Sequence, residues 1–369
     1  MSSAFHYVFP VIRGIQASRE YYVTMCPMRL IPRILLFDEQ ELRPELRSQR
    51  LLNKARVPAI ANYIVKNPTE YVFSALTASI DADVEFTPVS DDLALYNIGH
   101  IRIPMSARMV INDGQHRRAA IEMALRTQPE LGDETIACVL FVDTGLRRAQ
   151  QMFADLNRYA VRPTQSLSIL YDHRDHLSVL TRELVHRVVA FRGLTELDKS
   201  TISNRSRSLF TLSGVHRATC ELLADQLNSS YEQRLALAEL FWNRVDANID
   251  AWEKVRSGHV SAVSLRREYI HAHTVALVAI GRAGRALLRH NPGGWQTALG
   301  GLRCVDWHRS NTQQWEGRAT VGGRVSISRN NVSLLTNQVK HMLGIPLTDD
   351  EQMLETAFIS SKASSEDKA

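Results

Sequence analysis

Cysteine is scarce in this chain, with four in 369 residues, at positions 26, 138, 220 and 304. No two are spaced Cys-x-x-Cys and the four are far apart, so no metal site is expected. A disulfide framework is equally unexpected, and a reducing cytoplasm is the simple reading of location. Long apolar runs are missing too. The most apolar later stretch, Val275–Ile280, is soon interrupted by Arg282 and Arg285 and is too short to span a bilayer, so no membrane partner is expected. The N-terminus lacks the basic, apolar and small-residue order of a signal peptide. There is no Walker-type glycine loop, no internal repeat and no clear helix-turn-helix.

What is present describes an ordinary globular chain of two-domain length, 44% hydrophobic and 22% charged. The net charge is +5. That balance suits a nucleic-acid partner better than a basic substrate, and arginine, the commoner cation, suits bidentate phosphate contacts. Cys138 lies in the apolar run Ile136–Val142 and reads as core. Cys26 precedes Pro27 in a basic stretch and reads as exposed, a free thiol open to redox chemistry.

The chain is organised around Met109–Ile121. Its apolar start suits a buried strand, Asn112-Asp113-Gly114 signals a sharp turn, and Ala119, Ala120, Met123, Ala124 and Leu125 fall at helical spacing. Asp113 is the expected N-cap, and Gly114 allows close backbone approach. Strand, turn and helix place His116, Arg117 and Arg118 in the first helical turn. Cations there oppose the helix dipole, so an anion, most naturally phosphate, would relieve the conflict. A solvated turn is the plainer alternative.

Upstream, strands are expected at Phe5–Ile15 and Glu20–Met25, an apolar run at Leu30–Phe37, and helices at Glu39–Asn53 and Val57–Asn67. Further strands are expected at Tyr71–Ile80, Gly99–Ile103 and Ile136–Val142, the first two joined by a polar connection. Cys26, Arg29 and Arg33 open a stretch dense in arginine and form one candidate DNA-binding group. Interleaved acids fit a solvated helical surface equally well. Leu146–Arg158 reads as a helix. From Ser166 helical spacing takes over, in Ser166–Val189, Ser213–Leu227, Tyr231–Trp252, Leu265–His290 and Ser333–Leu343, which sets a boundary near Pro163. The connection Asp198–Ser208 carries Lys199, Arg205 and Arg207 among small hydroxyl residues, a second candidate DNA-binding group or an ordinary loop. Thr211-Leu212-Ser213 reads as a capped helix start. Trp307 and Trp315 could meet nucleic acid or, more commonly, anchor loops on a core. Residues 348–369 read as a partly disordered tail.

Asp113-Gly114-Gln115-His116-Arg117 is the signature string of the DGQHR-domain family. The turn also resembles the Gly-x-x-Arg strand–helix turn of ParB and sulfiredoxin, which holds nucleotide phosphates in those proteins. Asn157, Arg158 and Arg162 are similarly placed to the second nucleotide-closing segment of ParB, although Asp155-Leu156 stands where ParB has a glutamate before the asparagine. A helix C-cap at Asn157 and a surface Arg158 are the alternative. The order Asp306-Trp307, Trp315, Gly317-Arg318, Lys340 and Leu343-Gly344 resembles the C-terminal part of the family. Within it the chain is most similar to DndB, the regulatory family of bacterial DNA phosphorothioate (sulfur) modification systems, from about Val8 to Leu347.

The resemblance implies an α/β fold: a ParB/sulfiredoxin-like domain over residues 1–163, then a mainly helical domain over 164–347. It implies a DNA-binding repressor of the modification operon's promoter. The phosphate or nucleotide site would comprise Gly114, Gln115, His116, Arg117, Asn157, Arg158 and Arg162. The other class of function is a slow nucleotide hydrolase, with a nucleoside triphosphate and Mg²⁺ as cofactor and Asp113 and His116 as its catalytic pair. A homo-oligomer is compatible with either. On this reading Arg117→Ala costs roughly one to two decades in nucleotide affinity and little stability.

Overall fold

Side-chain alternation along two neighbouring segments starts the first sheet. In β1 (His6–Gln16), Phe9 and Val11 point inward while Val8 and Ile12 stay exposed; in β2 (Arg19–Pro27), Tyr22, Thr24 and Cys26 point inward. Ala17 and Ser18, both at positive φ, turn the chain between them. The computed structural model describes residues 5–36, 52–142, 151–152, 155–156 and 163–366. The expected helix Glu39–Asn53 lies almost wholly outside the described residues, as does most of Leu146–Arg158. The chain forms a mixed α/β structure and divides into two compact units, Met1–Val161 and Arg162–Ala369.

The first unit holds an eight-stranded sheet. It continues with α1 (Ile31–Ile34), β3 (Leu35–Leu36), α2 (Val57–Lys66), β4 (Leu76–Asp81), β5 (Glu85–Pro88), β6 (Ile98–Pro104), β7 (Arg108–Asp113), α3 (Gln115–Thr127) and β8 (Thr135–Val142). The strand order is β3-β7-β4-β8-β2-β1-β6-β5. β4 runs parallel to β8 and β3 to β7; the other pairs are antiparallel. Ile64 of α2 and Ile121 and Ala124 of α3 join Ile31, Leu76, Ile80, Ile101, Ile111 and Leu140 in one core. Leu76–Ile80 is buried at every position, as a central strand must be.

In the apolar run from Leu30, Pro32 at the start of α1 favours a helical turn, and Leu35–Leu36 then pair with β7. One expectation changes here. Tyr71–Ile80 is a strand only from Leu76. Tyr71 and Phe73 instead pack edge to face, and the Tyr71 hydroxyl bonds Glu134.

The second unit is helical, with strand pairs only two residues long. The helix Thr274–His290 is its axis, and it packs against Leu212–Leu223 and Arg329–Met342. A Cβ at Gly281 would lie 2.3 Å from the Ala218 carbonyl oxygen, so that contact is backbone to helix surface. The long expected helices are interrupted. Ser166–Val189 breaks into Gln165–Tyr171 and His176–Arg187, because Asp175 caps the second by accepting from Ser178 N at 2.8 Å. Tyr231–Trp252 breaks into Tyr231–Asp246 and Asp250–Arg256, and Leu265–His290 into Ala262–Glu268 and Thr274–His290. Between the last two lies His271, wholly buried and accepting from Trp252 Nε1 at 3.0 Å. Burial pushes its pKa down to about 3, so it is a neutral acceptor. Trp307 and Trp315 are buried and stacked, centroids 5.6 Å apart, with Trp315 Nε1 donating to the Asp306 carbonyl.

Residues Asp349–Glu366 form a helix, where the sequence suggests a tail. Its acidic first turn complements the helix dipole. Side chains dock it: Lys340 Nζ bonds Glu351 at 2.6 Å, Arg318 pairs with Glu355, and the Arg318 guanidinium lies 4.6 Å from the Phe358 ring centroid. Composition is a poor guide to order when a few charged side chains find buried partners.

Candidate functional site

β7 ends at Asp113, and Gly114 turns the chain at φ 102°. That conformation, with a Cβ position only 2.4 Å from Leu76 Cδ2, admits glycine alone. Gly114, not Asp113, is the N-cap of α3, and no side chain caps it. The Asp113 carboxylate instead accepts from Arg117 Nη2 at 2.6 Å.

The three side chains that follow reach three different segments. The His116 ring accepts the Asn53 backbone N–H at 3.1 Å, just before α2. Arg117 Nη1 donates to the Ser74 carbonyl and hydroxyl and, at 2.8 Å, to the Ala75 carbonyl, at the entry to β4. Arg118 donates to the carbonyls of Leu35 and Pro32 at 3.0 and 2.8 Å and pairs with Glu122. Gln115, buried, donates to the Asn112 carbonyl. The first turn of α3 therefore ties together the loop before α2, the entry to β4 and the α1–β3 segment. Through Nη1 and Nη2 these contacts leave the Arg117 Nε–H and one Nη2–H without a partner among the described residues, so a phosphate could be met without giving any of them up. The backbone offers an uncapped helix N-terminus and a glycine that permits close approach.

Beneath the turn, Asn112 is fully buried. Its Nδ2 donates to Ser79 Oγ at 2.6 Å and lies 3.0 Å from Met152 Sδ, while Oδ1 has no hydrogen-bond partner among the described residues. Met152 belongs to the second segment that sequence reasoning tied to this site, so that segment reaches the strand leading into the turn. Asn157, Arg158 and Arg162 themselves lie outside the described residues. Among the described residues no group of three His, Cys, Asp or Glu side chains could hold a metal ion.

The family model of DndB, described as DNA-sulfur modification-associated, matches residues 9–346. The chain belongs to the DndB family. No curated protein and no solved structure matches it. Membership of DndB associates the chain with DNA sulfur modification, and no helix among the described residues is long and apolar enough to cross a membrane.

The candidate DNA contacts of this DndB chain differ in kind. Cys26 is not exposed, as its sequence context suggests, but 1% accessible on the inner face of β2 beside Cys138 of β8. The neighbouring Cys138 thiol holds the Cys26 pKa below the ordinary thiol value against the effect of burial, and Cys26 together with burial raises that of Cys138. The period-2 strand pattern was the signal that could have placed Cys26 inside, with Tyr22 and Thr24. Arg29 pairs with Asp133 and donates to the Gly132 carbonyl. Arg33 is exposed. In the second unit Lys199, Arg205 and Arg207 are all exposed, and none makes an ion pair with a described residue.

Proposed function

We propose that this DndB-family chain is a DNA-binding transcriptional regulator that represses the operon of its DNA phosphorothioate modification system. The observation that carries the reading is the loop at 198–208. Its three cations are exposed and make no ion pair with a described residue, so among the described residues they have none to give up to a phosphate. Arg33 in the first unit has the same character. Cys26 no longer belongs to this set, because a buried thiol meets no phosphate.

Nucleotide modulation is the finer part of the proposal. It rests on the uncapped N-terminus of α3 and on Gly114, with the N–H groups that Arg117 does not spend on Ser74, Ala75 and Asp113 offered to a phosphate oxygen. The hydrolase reading asks more. Asp113 is already paired with Arg117, and the His116 ring already takes the Asn53 N–H, so each would have to leave a contact before acting on a nucleotide or Mg²⁺. DNA binding through the exposed loop needs no such exchange and is preferred.

The test is a gel shift with the modification-operon promoter and a scrambled duplex at two salt concentrations, on wild type and on a Lys199→Ala, Arg205→Ala, Arg207→Ala triple variant. Promoter preference in wild type, with weaker binding and a shallower salt dependence in the variant, supports the reading. Equal weak retention of both duplexes by wild type sinks it.

A further inference from the structure

Two adjoining recesses lie in the helical unit. One has a volume of about 550 Å³ and the other about 410 Å³, and Ser200, His273, Thr274 and Arg309 line both. Each is the size of an ordinary small-ligand pocket. Arg217 lines the first, and Arg266 and Arg267 the second; no aspartate or glutamate lines either. Four arginines with no carboxylate among them are an uncompensated positive wall. The recess between Arg282 and Arg289 makes the contrast: there Glu221 and Glu351 stand among the cations and pair with Arg282 and Lys340.

The backbone adds to the charge. The helix Thr274–His290 begins at His273, no side chain caps it, and its first turn holds no acid; Thr274 and Val275 line the first recess. The helix Leu212–Leu223 begins beside it, with Ser213 and Gly214 in the same wall. A Cβ at Gly214 would sit 2.7 Å from Thr274 Oγ1, so glycine is what lets the two helix starts converge. Their dipoles thus point positive ends at one space.

The side chains have donors to spare. Arg217 is partly buried and makes no hydrogen bond or ion pair with a described residue. Arg309 donates to the carbonyls of Arg267 and Gly323, at 3.2 and 2.6 Å, which leaves further guanidinium N–H groups uncommitted. Arg266 is different: its donors go to the carbonyls of Ser203, Ser206 and Ser208 and fix the loop that rims the recess. Burial, and then the field of Arg309 and Arg266, holds His273 below its ordinary pKa; its Nε2 lies 2.8 Å from the Arg266 carbonyl.

We propose that this recess binds a phosphate-bearing ligand, with the phosphate held by Arg217, Arg309 and the start of the helix Thr274–His290. A recess of this volume takes one nucleotide unit and not a duplex, so the phosphate comes either from a free phosphorylated small molecule or from a single backbone position of DNA. The site shares no residue with the α3 turn; the 198–208 loop rims it, so only its DNA-backbone source rests on the DNA-binding reading.

Calorimetry of the full chain with inorganic pyrophosphate as probe tests it, with Arg217→Gln as the variant and Arg192→Gln, exposed and outside the recess, as the control. Pyrophosphate binds wild type and the control alike, and Arg217→Gln weakens it about tenfold, the worth of one charge-assisted hydrogen bond. In wild type the probe also slows amide exchange over 211–217 and 272–277, a readout that needs no variant to fold. Two further arms separate the sources. If AMP competes with pyrophosphate and Arg217→Gln leaves duplex retention unchanged, the ligand is a small phosphorylated molecule. If a short duplex competes and its retention falls in the variant, the ligand is the DNA backbone. No pyrophosphate binding at millimolar concentration, equal binding by a folded Arg217→Gln, or exchange protection only outside those segments overturns the proposal.

Discussion

Arg117 and Arg217 occupy similar places in the chain. Each lies in the first half of a helix that follows a short strand, β7 in one unit and Phe210–Thr211 in the other, Arg117 in the first turn and Arg217 in the second. Their surroundings differ completely. Arg117 spends its guanidinium on Ser74, Ala75 and Asp113, whereas Arg217 faces a recess with no described partner. An arginine beside a helix N-terminus is therefore not by itself a ligand arginine. What separates the two is the supply of nearby acceptors. Residues 74–75 bring carbonyls to Arg117 as the chain enters β4, and the wall around Arg217 offers no carboxylate.

The largest effect that could break this contrast is on stability. Arg117→Ala is expected to cost about 3 kcal/mol, since it leaves partly buried carbonyls and the Asp113 carboxylate without their donor. Urea unfolding measures it. A cost under about 0.5 kcal/mol, the ordinary surface value, would show that the internal contacts count for little and return Arg117 to the pool of available phosphate ligands. The sequence alone suggested the reverse, a cheap substitution in a solvent-facing site.

Gly114→Ala comes next. A Cβ there meets Leu76 Cδ2 in a left-handed conformation that costs a non-glycine residue about 1–3 kcal/mol before the clash is added. The same unfolding experiment should give a loss of about 2–3 kcal/mol. Neutral behaviour would mean that the turn relaxes without glycine.

A smaller effect concerns the C-terminal helix. Burial disfavours the Glu351 carboxylate, yet Lys340 and the Thr348 backbone N–H outweigh it and hold the pKa below the ordinary 4.5. A depressed carboxylate stabilises above its unfolded pKa, and that contribution is lost as pH falls through the folded value. Wild-type Tm should therefore drop more steeply than that of Glu351→Gln as pH falls below about 4.5. Parallel curves would remove Glu351 from the helix's anchorage.

The smallest stability effect belongs to the loop cations. Arg205→Ala and Arg207→Ala should each change unfolding free energy by less than about 0.5 kcal/mol, while the salt slope of DNA binding falls by about 1 per cation removed. A large destabilisation would mean that these side chains have internal work, as Arg117 does, and would close the gap between the two regions.

Much of the first unit was legible because local signals agreed. Short apolar and β-branched or aromatic runs placed β1, β2, β6 and β8, and Asn112-Asp113-Gly114 placed the turn between β7 and α3. The five-residue string from Asp113 to Arg117 pointed to the family whose model matches residues 9–346. Less was legible wherever a side chain's role depends on a partner far away in the chain. Periodicity could not break Leu265–His290, because the break accommodates His271, whose partner Trp252 is 19 residues upstream. It could not order the C-terminal helix, whose hold is Arg318 and Lys340.

The sequence by itself determined that a glycine turn would launch α3 and that helices would follow a mixed sheet, because backbone conformation and apolar spacing are local properties. Only the tertiary structure decided which arginines are free. Whether a guanidinium is consumed depends on carbonyls and carboxylates that folding brings within about 3 Å from tens of residues away. Arg117 meets Ser74 across 43 positions and Arg118 meets Leu35 across 83, and no spacing rule along the chain encodes such meetings.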